Sequence, residues 1–275
     1  MGGILGFQRS GITKVAAVCD VDARRREGAR KRAGESVTAY HDYRALLERK
    51  DIDAVVIGTP DHWHAVNVVH AAESGKHIYC EKPAHCTIEE GKAMRAACHK
   101  AKVAVQIGSQ GRSQPECHAA YQYIANGMIG KVRKVDIFSN KNWGGGTRPT
   151  ESMPVPETLN WDLWLGPAPY RPYHPSYVPF KWRGWWDFGC GMLADRGAHT
   201  LDPPFWALNL GQPTWVEANR TDINPETHPV ASLVRYQFPA RGKLPPVKLT
   251  WYDGLRPPLP DDLEDGRQLG SREGG

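Results

Sequence analysis

The stretch from residue 52 to residue 83, IDAVVIGTPDHWHAVNVVHAAESGKHIYCEKP, constrains the fold of this chain more than any other. Its apolar run Ala54–Ile57 predicts a strand, and the turn at residues 58–61 opens a predicted helix from about residue 62 to residue 74. Gly75 follows at the position where a helix end favours a left-handed residue. The stretch therefore begins as a strand joined directly to a helix.

A second strand is predicted at His77–Cys80, and it stops at Glu81-Lys82-Pro83. Both strands are short, mainly apolar runs without polar alternation. Such runs are typical of parallel strands that are covered on both faces. The stretch thus predicts a strand-helix-strand unit of an α/β protein with a doubly wound parallel sheet.

Polar side chains follow the carboxyl ends of both predicted strands, which is where ligands bind in open parallel sheets. They are Thr59, Asp61, His62 and His64 after the first strand, and Glu81 and Lys82 after the second. Lys82 precedes a proline, which restricts its backbone and leaves it no helix to enter, so its ammonium is held at the sheet rim. The sequence predicts a site at this rim, although a surface lysine that merely ends a strand would give the same pattern.

The motifs GTPDHWH and CEKP, in this order, resemble those of the Gfo/Idh/MocA family of nicotinamide-dependent oxidoreductases. VAAVCDVD upstream and GMLADRGAHTLD downstream also match the family's pattern in order and spacing, so the resemblance covers nearly the whole chain. It implies a Rossmann-type NAD(P)-binding domain followed by an α+β domain. It also implies cofactor contacts from Gly58, Thr59, Pro60, His62, His64, Glu81, Lys82 and Gln110.

The amino terminus departs from the usual start of a dinucleotide-binding fold, which is a strand, a G-x-G-x-x-G loop and a helix. Residues 1–6, MGGILG, fit that loop poorly, with methionine in the place of the first glycine. We expect that the first strand is missing, that the chain starts within the first helix of a longer protein, and that it binds NAD poorly unless the upstream segment is added. A frayed terminus is the alternative interpretation of these glycines.

The strand predicted at Val15–Cys19 ends in Asp20. An acidic residue at this position can accept both hydrogen bonds of the adenosine ribose diol, and it repels a 2′-phosphate. Arg24 and Arg25 follow, and guanidinium groups near that ribose could instead pair with a phosphate. The sequence therefore favours NAD as the cofactor and leaves NADP possible.

The pattern of strands changes in the middle of the chain. Beyond residue 130 the strands alternate polar and apolar residues, which is typical of an antiparallel sheet with one open face. We predict a Rossmann-like domain over residues 1–112 and an α+β substrate-binding and oligomerisation domain over residues 113–275. From about residue 257 the tail is rich in Pro, Gly and charge, which predicts disorder and a chain cut short at this end too.

Asp195 and His199 lie four residues apart in GMLADRGAH, which predicts a helical segment with both side chains on one face. A carboxylate beside an imidazole can orient it and tune its proton affinity near neutral pH, as a general base for a hydroxyl proton requires. A lone pair at this spacing is more often structural, but it matches the family's D-x-x-x-H motif. The resemblance implies that His199 takes the hydroxyl proton, that Lys82 stabilises charge on the same oxygen, and that Asp195 holds the substrate or the histidine.

The resemblance implies an NAD(P)-dependent dehydrogenase or reductase that acts on a hydroxyl-bearing carbon of a sugar, cyclitol or related polyol. One alternative is a glycosidase that uses bound NAD in a transient oxidation, and another is a non-catalytic fragment without the phosphate loop. The family also implies a homo-oligomer that pairs through the open sheet of the second domain. Six tryptophans between residues 143 and 186 could stack on a sugar ring or pack an interface.

Composition argues against several other classes of protein. A net charge of +5 is too weak to indicate nucleic-acid binding, and no apolar run approaches the ~20 residues of a membrane span. The six cysteines form no C-x-x-C pair, which favours reduced thiols in the cytoplasm, although an export signal could precede this start. His62 and His64 alternate on a turn without an evident third ligand, so we expect no metal site.

Overall fold

The computed structural model describes residues 2–221, 224–261, 263–270 and 274, so Met1 of the predicted degenerate loop lies outside the described residues. The chain forms two compact units. The first consists of the residues up to 107 together with 149–176, and the second of 108–148 together with 177–275. This division differs from the predicted boundary at residue 112, because the segment 149–176 packs with the first unit.

The elements follow the chain in this order. Up to the end of the first part they are α1 (Gly2–Arg9), β1 (Ala17–Cys19), α2 (Ala23–Ala33), β2 (Thr38–Tyr40), α3 (Tyr43–Leu47), β3 (Ala54–Ile57), α4 (His64–Glu73), β4 (His77–Glu81), α5 (Ile88–Ala101) and β5 (Val105–Gly108). Then follow α6 (Pro115–Ala125), β6 (Lys134–Ser139), α7 (Trp161–Leu165), α8 (Gly191–Asp195), α9 (Gly197–Thr200), α10 (Asp202–Ala207), β7 (Trp215–Arg220), β8 (Ser232–Phe238) and β9 (Val247–Asp253). Short 3₁₀ turns lie at Asp61–Trp63, Gln110–Ser113 and Lys181–Gly184.

The first unit contains two small sheets. β1 pairs in parallel with β2, and β3, β4 and β5 form the second sheet in that order. β3 runs parallel to β4, with Ala54 opposite His77 and Ile57 opposite Cys80. The predicted strand-helix-strand unit is confirmed, and it brings the carboxyl ends of β3 and β4 to one edge of their sheet.

Helix α4 packs its small apolar residues onto this sheet. Val68 and Ala72 are fully buried in a core that also contains Ile78 and Cys80 of β4. Burying a side chain such as Val or Ile contributes about 1.5–3 kcal/mol, so this core holds the helix firmly against the strands. Gly75 follows the helix with φ of +72°, as the sequence predicts.

β3 is covered on one face only, contrary to the prediction. Val55 and Ile57 pack against the α4 core, whereas Ala54 and Val56 are exposed, with Val56 at 50%. Successive side chains of a strand alternate between its faces. The apolar run predicts that both faces of the strand are covered. Among the described residues, the face of Val55 and Ile57 is covered and the face of Ala54 and Val56 is not.

The second unit is built on a four-stranded mixed sheet in the order β6-β9-β8-β7. β8 is antiparallel to both β7 and β9, which confirms the mainly antiparallel sheet, but β9 is parallel to β6. β9 is not predicted from the sequence. Its Val247, Leu249 and Trp251 are fully buried and alternate with polar residues, so it forms the centre of this core.

The tail from residue 257 contains no helix or strand in its described part, apart from an isolated bridge between Ser139 and Gly274. Positions 262, 271–273 and 275, which belong to the predicted disordered tail, lie outside the described residues. No helix within the described ranges is long and apolar enough to cross a bilayer. The six cysteines are free thiols, and burial raises the pKa of the Cys80 thiol to about 12.

Candidate functional site

One buried histidine joins the two strand ends of the first unit. The His64 ring is 1% exposed, with Nδ1 2.7 Å from the carbonyl oxygen of Pro83 and Nε2 2.9 Å from that of Thr59. Burial lowers the pKa of His64, since the charged ring would lose its hydration. Both ring nitrogens thus face backbone carbonyl oxygens, and the neutral ring donates a hydrogen bond to one of them. His64 fixes the turn after β3 relative to the segment after β4, and its predicted contact with a cofactor does not involve a free ring nitrogen.

The segment after β4 carries Glu81 and Lys82 at this edge. Both residues are partly buried, and the peptide bond between Lys82 and Pro83 is cis. Gly58 lies beside Glu81 at the end of β3, since a Cβ on Gly58 would stand 3.9 Å from Glu81 Cγ. The structure therefore brings Gly58, Glu81 and Lys82 together at the rim where the sequence predicts them.

Thr59 is oriented by Asn67, a residue of α4 that the sequence motif does not single out. Asn67 is buried, and its Nδ2 donates to Thr59 Oγ1 at 3.3 Å. Its Oδ1 is buried without a hydrogen-bond partner among the described residues. Leaving such an acceptor unpaired costs about 1–3 kcal/mol. Asn67 is therefore a candidate to receive a donor from a molecule bound beside Thr59.

The side chains of His62 and Trp63 contact the segment 149–176 instead. His62 Nε2 lies 3.1 Å from the carbonyl oxygen of Trp164, and Trp63 Nε1 donates to the same oxygen at 2.9 Å. Gly166 lies so close to the Trp63 ring that a Cβ would overlap it. His62 Nε2 is therefore engaged within the first unit, and the cofactor contact of His62 stays a prediction. In the described part of the chain, no three His, Cys, Asp or Glu side chains cluster as metal ligands.

Asp20 stands after the carboxyl end of β1. Its Oδ1 accepts from the backbone N–H of Asp22 at 2.9 Å, and its other oxygen has no hydrogen-bond partner within the described residues. Burial raises the pKa of the Asp20 carboxyl, against the opposing effects of the Asp22 N–H and the Arg25 guanidinium. The other oxygen is available to accept a hydrogen bond, and the contact of Asp20 with the ribose stays a prediction. Arg24 and Arg25 are both exposed.

The motif around Asp195 and His199 forms two short helices rather than the single segment that the sequence predicts. α8 ends at Asp195, Arg196 has φ of −96° and ψ of −39°, and α9 begins at Gly197. Glycine has a low helix propensity, and Gly197 is packed closely enough that a Cβ would lie 3.2 Å from Leu201 Cδ1. The i, i+4 relation therefore crosses a helix break.

Two side chains distant in sequence hold Asp195. Trp143 Nε1 donates to Asp195 Oδ2 at 3.1 Å, and Arg183 Nε lies 3.7 Å from Oδ1. The Arg183 guanidinium in turn lies 4.1 Å from the ring centroid of Trp182 and 4.4 Å from that of Phe180. These contacts fix the direction of the Asp195 carboxylate. The sequence places Trp143 among six tryptophans but carries no signal for its contact with Asp195.

His199 borders a small pocket of about 30 Å³ within the second unit. The pocket is also lined by Ser109, Gly111, Arg112, Cys117, Ala198, Asp202, Pro203 and Trp206. Gln110, predicted to contact the cofactor, begins the 3₁₀ turn between two of these residues and is exposed. The candidate base therefore has polar neighbours that its own motif does not indicate.

Comparisons with known proteins agree with this geometry. A family model described as "Oxidoreductase family, NAD-binding Rossmann fold" matches residues 5–109, and a second model of the same family, for its C-terminal alpha/beta domain, matches residues 117–238. The chain belongs to the Gfo/Idh/MocA oxidoreductase family. The Rossmann model covers the strand-helix-strand unit and Asp20, whereas the second model covers Asp195 and His199.

Named relatives of this Gfo/Idh/MocA chain act on sugars and cyclitols. Levoglucosan dehydrogenase of Pseudarthrobacter phenanthrenivorans is 40% identical over 196 residues, which are 69% of this chain and 43% of that protein. Inositol 2-dehydrogenase of Rubrobacter xylanophilus is 32% identical over 135 residues, 47% of this chain and 38% of that protein. The chain thus spans less than half the length of these relatives.

Solved structures share the Gfo/Idh/MocA fold of this chain. The WlbA dehydrogenase from Bordetella pertussis, in complex with NADH and UDP-GlcNAcA, matches 91% of this chain and 66% of that chain with a TM-score of 0.66. Its sequence identity is 18%, so this likeness concerns the fold. The Rossmann-like parallel sheet and the following α/β domain with a mixed sheet are both confirmed by it.

Proposed function

We propose that this chain carries an NAD(P)-dependent oxidoreductase that transfers a hydride between the nicotinamide and a hydroxyl-bearing carbon of a sugar, cyclitol or related polyol. The observation that carries the proposal is the double contact of His64, because it holds the turn at Thr59 and the segment of Lys82 and Pro83 at one edge of a parallel sheet. That edge is where parallel sheets bind ligands. The 40% identity to a levoglucosan dehydrogenase supports the same class of reaction.

Residues of the first unit fit NAD at two points. The free carboxylate oxygen of Asp20 can accept from the ribose diol, and the unpaired Asn67 Oδ1 beside Thr59 can accept from a donor at the sheet rim. The repulsion between Asp20 and a 2′-phosphate favours NAD, while exposed Arg24 and Arg25 keep NADP possible. When bound, the cofactor supplies the acceptor or donor of the hydride.

Lys82, Asp195 and His199 supply the rest of the proposed chemistry. In the direction of oxidation, His199 takes the proton of the substrate hydroxyl as general base. The Lys82 ammonium donates a hydrogen bond to the same oxygen and stabilises negative charge as it develops. Asp195, fixed by Trp143, orients the substrate or the imidazole.

Formation of NADH from a panel of polyols tests this function. With the 275-residue chain and saturating NAD, we expect an ultraviolet NADH signal from at least one member of a panel that includes levoglucosan and myo-inositol. Lys82→Ala should lower the rate of NADH formation by about 10² or more, whereas Lys92→Ala, at an exposed lysine paired with Glu89, should leave it unchanged. Release of free sugar from a glycoside without lasting NADH would instead support the glycosidase alternative.

We also propose that copies of this chain associate through the sheet of the second unit. All six residues of the edge strand β7 are exposed, including Trp215 at 50% and Val216 at 52%. Apolar side chains on an unpaired edge strand favour association with another chain. Light scattering should give a mass above that of one chain, and Val216→Lys should lower it. A monomer at micromolar concentration would contradict the proposal.

A further inference from the structure

The pocket beside His199 contains an ion pair with unused hydrogen-bonding groups. Arg112 Nε donates to Asp202 Oδ2 at 2.9 Å. Within the described residues, the terminal nitrogens of Arg112 and the Oδ1 of Asp202 have no hydrogen-bond partner. The two side chains are 49% and 28% exposed, so a ligand can reach them. The pair therefore offers donors next to an acceptor.

An aromatic ring forms the neighbouring wall of this pocket. The Trp206 ring centroid lies 4.9 Å from the guanidinium carbon of Arg112, and the ring stacks on Tyr121 at 4.2 Å with an interplanar angle of 16°. The His118 ring meets Trp206 edge-on at 5.1 Å. These contacts hold both the ring and the guanidinium in place before a ligand arrives, which lowers the entropic cost of binding.

The size of the pocket limits what enters it. Its volume of about 30 Å³ holds about two water-sized groups, since one water molecule needs roughly 10–15 Å³ on the same measure. A hydroxyl group and the carbon that carries it fit this space, whereas a whole sugar ring is larger. The pocket therefore receives one group of a larger substrate.

The charge of the pocket determines which group that is. Asp202 compensates the charge of Arg112, so an incoming carboxylate or phosphate would meet a carboxylate next to the guanidinium. A neutral hydroxyl group can both accept from Arg112 and donate to Asp202. The Trp206 ring, with Tyr121 stacked on it and the guanidinium over it, keeps the Arg112 donors in place for this contact.

We propose that Arg112 and Asp202, held in place beside Trp206, form a specificity subsite for a neutral hydroxyl group of the substrate, next to the hydroxyl that His199 deprotonates. The subsite rests on the proposed function for the role of His199. A site built to hydrogen-bond a hydroxyl rejects analogues that lack it, because its own polar groups are then left unpaired. The subsite thus selects neutral polyols over uronates and sugar phosphates.

Saturation-transfer NMR titration of levoglucosan and myo-inositol with the 275-residue chain, without cofactor, tests the subsite. We expect Arg112→Met and the isosteric Asp202→Asn each to weaken binding of the better probe about tenfold, as for the loss of a hydrogen bond to a charged group. One monodeoxy analogue of that probe should bind the native chain and both variants equally. Arg235→Met is the matched control, because Arg235 is 43% exposed, close to the 49% of Arg112, pairs with Glu217 and lies outside the pocket lining.

Equal binding of the better probe by the native chain and both folded variants would overturn the subsite. Glucuronate binding more tightly than both neutral probes, or no binding of either neutral probe, would overturn it as well. Melting temperatures establish that each variant is folded, and Asp202→Asn alone decides the outcome if Arg112→Met does not fold. Loss of polyol binding in the variants, with no NADH formed from any polyol, would support the subsite while rejecting the proposed function.

Discussion

Asp20 combines a structural contact with a free acceptor. Its Oδ1 closes a turn with the N–H of Asp22, whose own carboxylate caps α2 by accepting from the N–H of Arg24 at 2.8 Å. This turn sets the direction of the second Asp20 oxygen. At the residue scale, the preference for one cofactor over the other therefore depends on a carboxylate that the local fold has already oriented.

Asp20→Ser should raise the use of NADP relative to NAD. Serine removes the negative charge that repels a 2′-phosphate and one of the acceptors for the ribose diol. We expect the ratio of kcat/KM for NADP to that for NAD to increase about tenfold or more, in line with the loss of about one hydrogen bond to a charged group. Steady-state kinetics with both cofactors measure it, with Asp51→Ser as a control at an exposed carboxylate that pairs with Arg49. An unchanged ratio would show that Asp20 does not contact the ribose.

Predictions for single residues succeed where a role depends on neighbours in sequence. Lys82 follows a buried strand and precedes a proline, so its place at the rim can be predicted from adjacent residues. Trp143 reaches Asp195 across 52 positions, and Arg112 reaches Asp202 across 90. No local pattern encodes such pairs, because they form only when the second unit folds.

At the scale of elements, apolar runs and helix ends predict structure well where one signal dominates. β3, α4 and β4 follow from two apolar runs and Gly75. β9 is not predicted although its apolar residues alternate, because Pro245 and Pro246 directly precede it and indicate a turn. The interruption at Arg196 is not predicted, because the spacing of Asp195 and His199 indicates one continuous helix.

The sheet of the second unit should lose stability as the pH rises, because of one carboxyl group at the end of β9. Asp253 is opposite Ser232 of β8 and 9% exposed, and burial raises its pKa from 3.8 to about 7. Between these two values the folded state keeps a proton that the unfolded state has released. The contribution of the protonated Asp253 to the free energy of unfolding is therefore complete below about pH 4 and is lost as the pH rises through about 7.

Asp253→Asn should remove this part of the pH dependence. Between about pH 5 and about pH 8.5, the free energy of unfolding measured with urea should fall by on the order of 1–3 kcal/mol more in the native chain than in the variant. Asp261→Asn, at an exposed aspartate, is the control. Parallel pH profiles for the native chain and Asp253→Asn would mean that Asp253 is ionised in the folded state at neutral pH.

At the scale of the whole molecule, the proposed reactive groups belong to different compact units. Lys82 follows β4 in the first unit, and His199 lies on α9 in the second. Each residue could be identified from the motif of its own unit, since each motif is contiguous in sequence. Their joint action on one substrate oxygen is a proposal, and kinetics must test it.

Lys82→Ala and His199→Ala should each lower kcat by about 10² or more, the effect of losing a charge-stabilising donor or a general base. The dissociation constant of NAD should change little, because both groups act on the transition state. The two losses should not multiply in the double variant, since groups that act as a unit are non-additive. Steady-state kinetics and calorimetry of the three variants measure these effects, with Lys92→Ala and His99→Ala as controls at exposed residues of α5. A near-normal kcat in His199→Ala would remove His199 as the base, and fully multiplicative losses would show that the two groups act in separate steps.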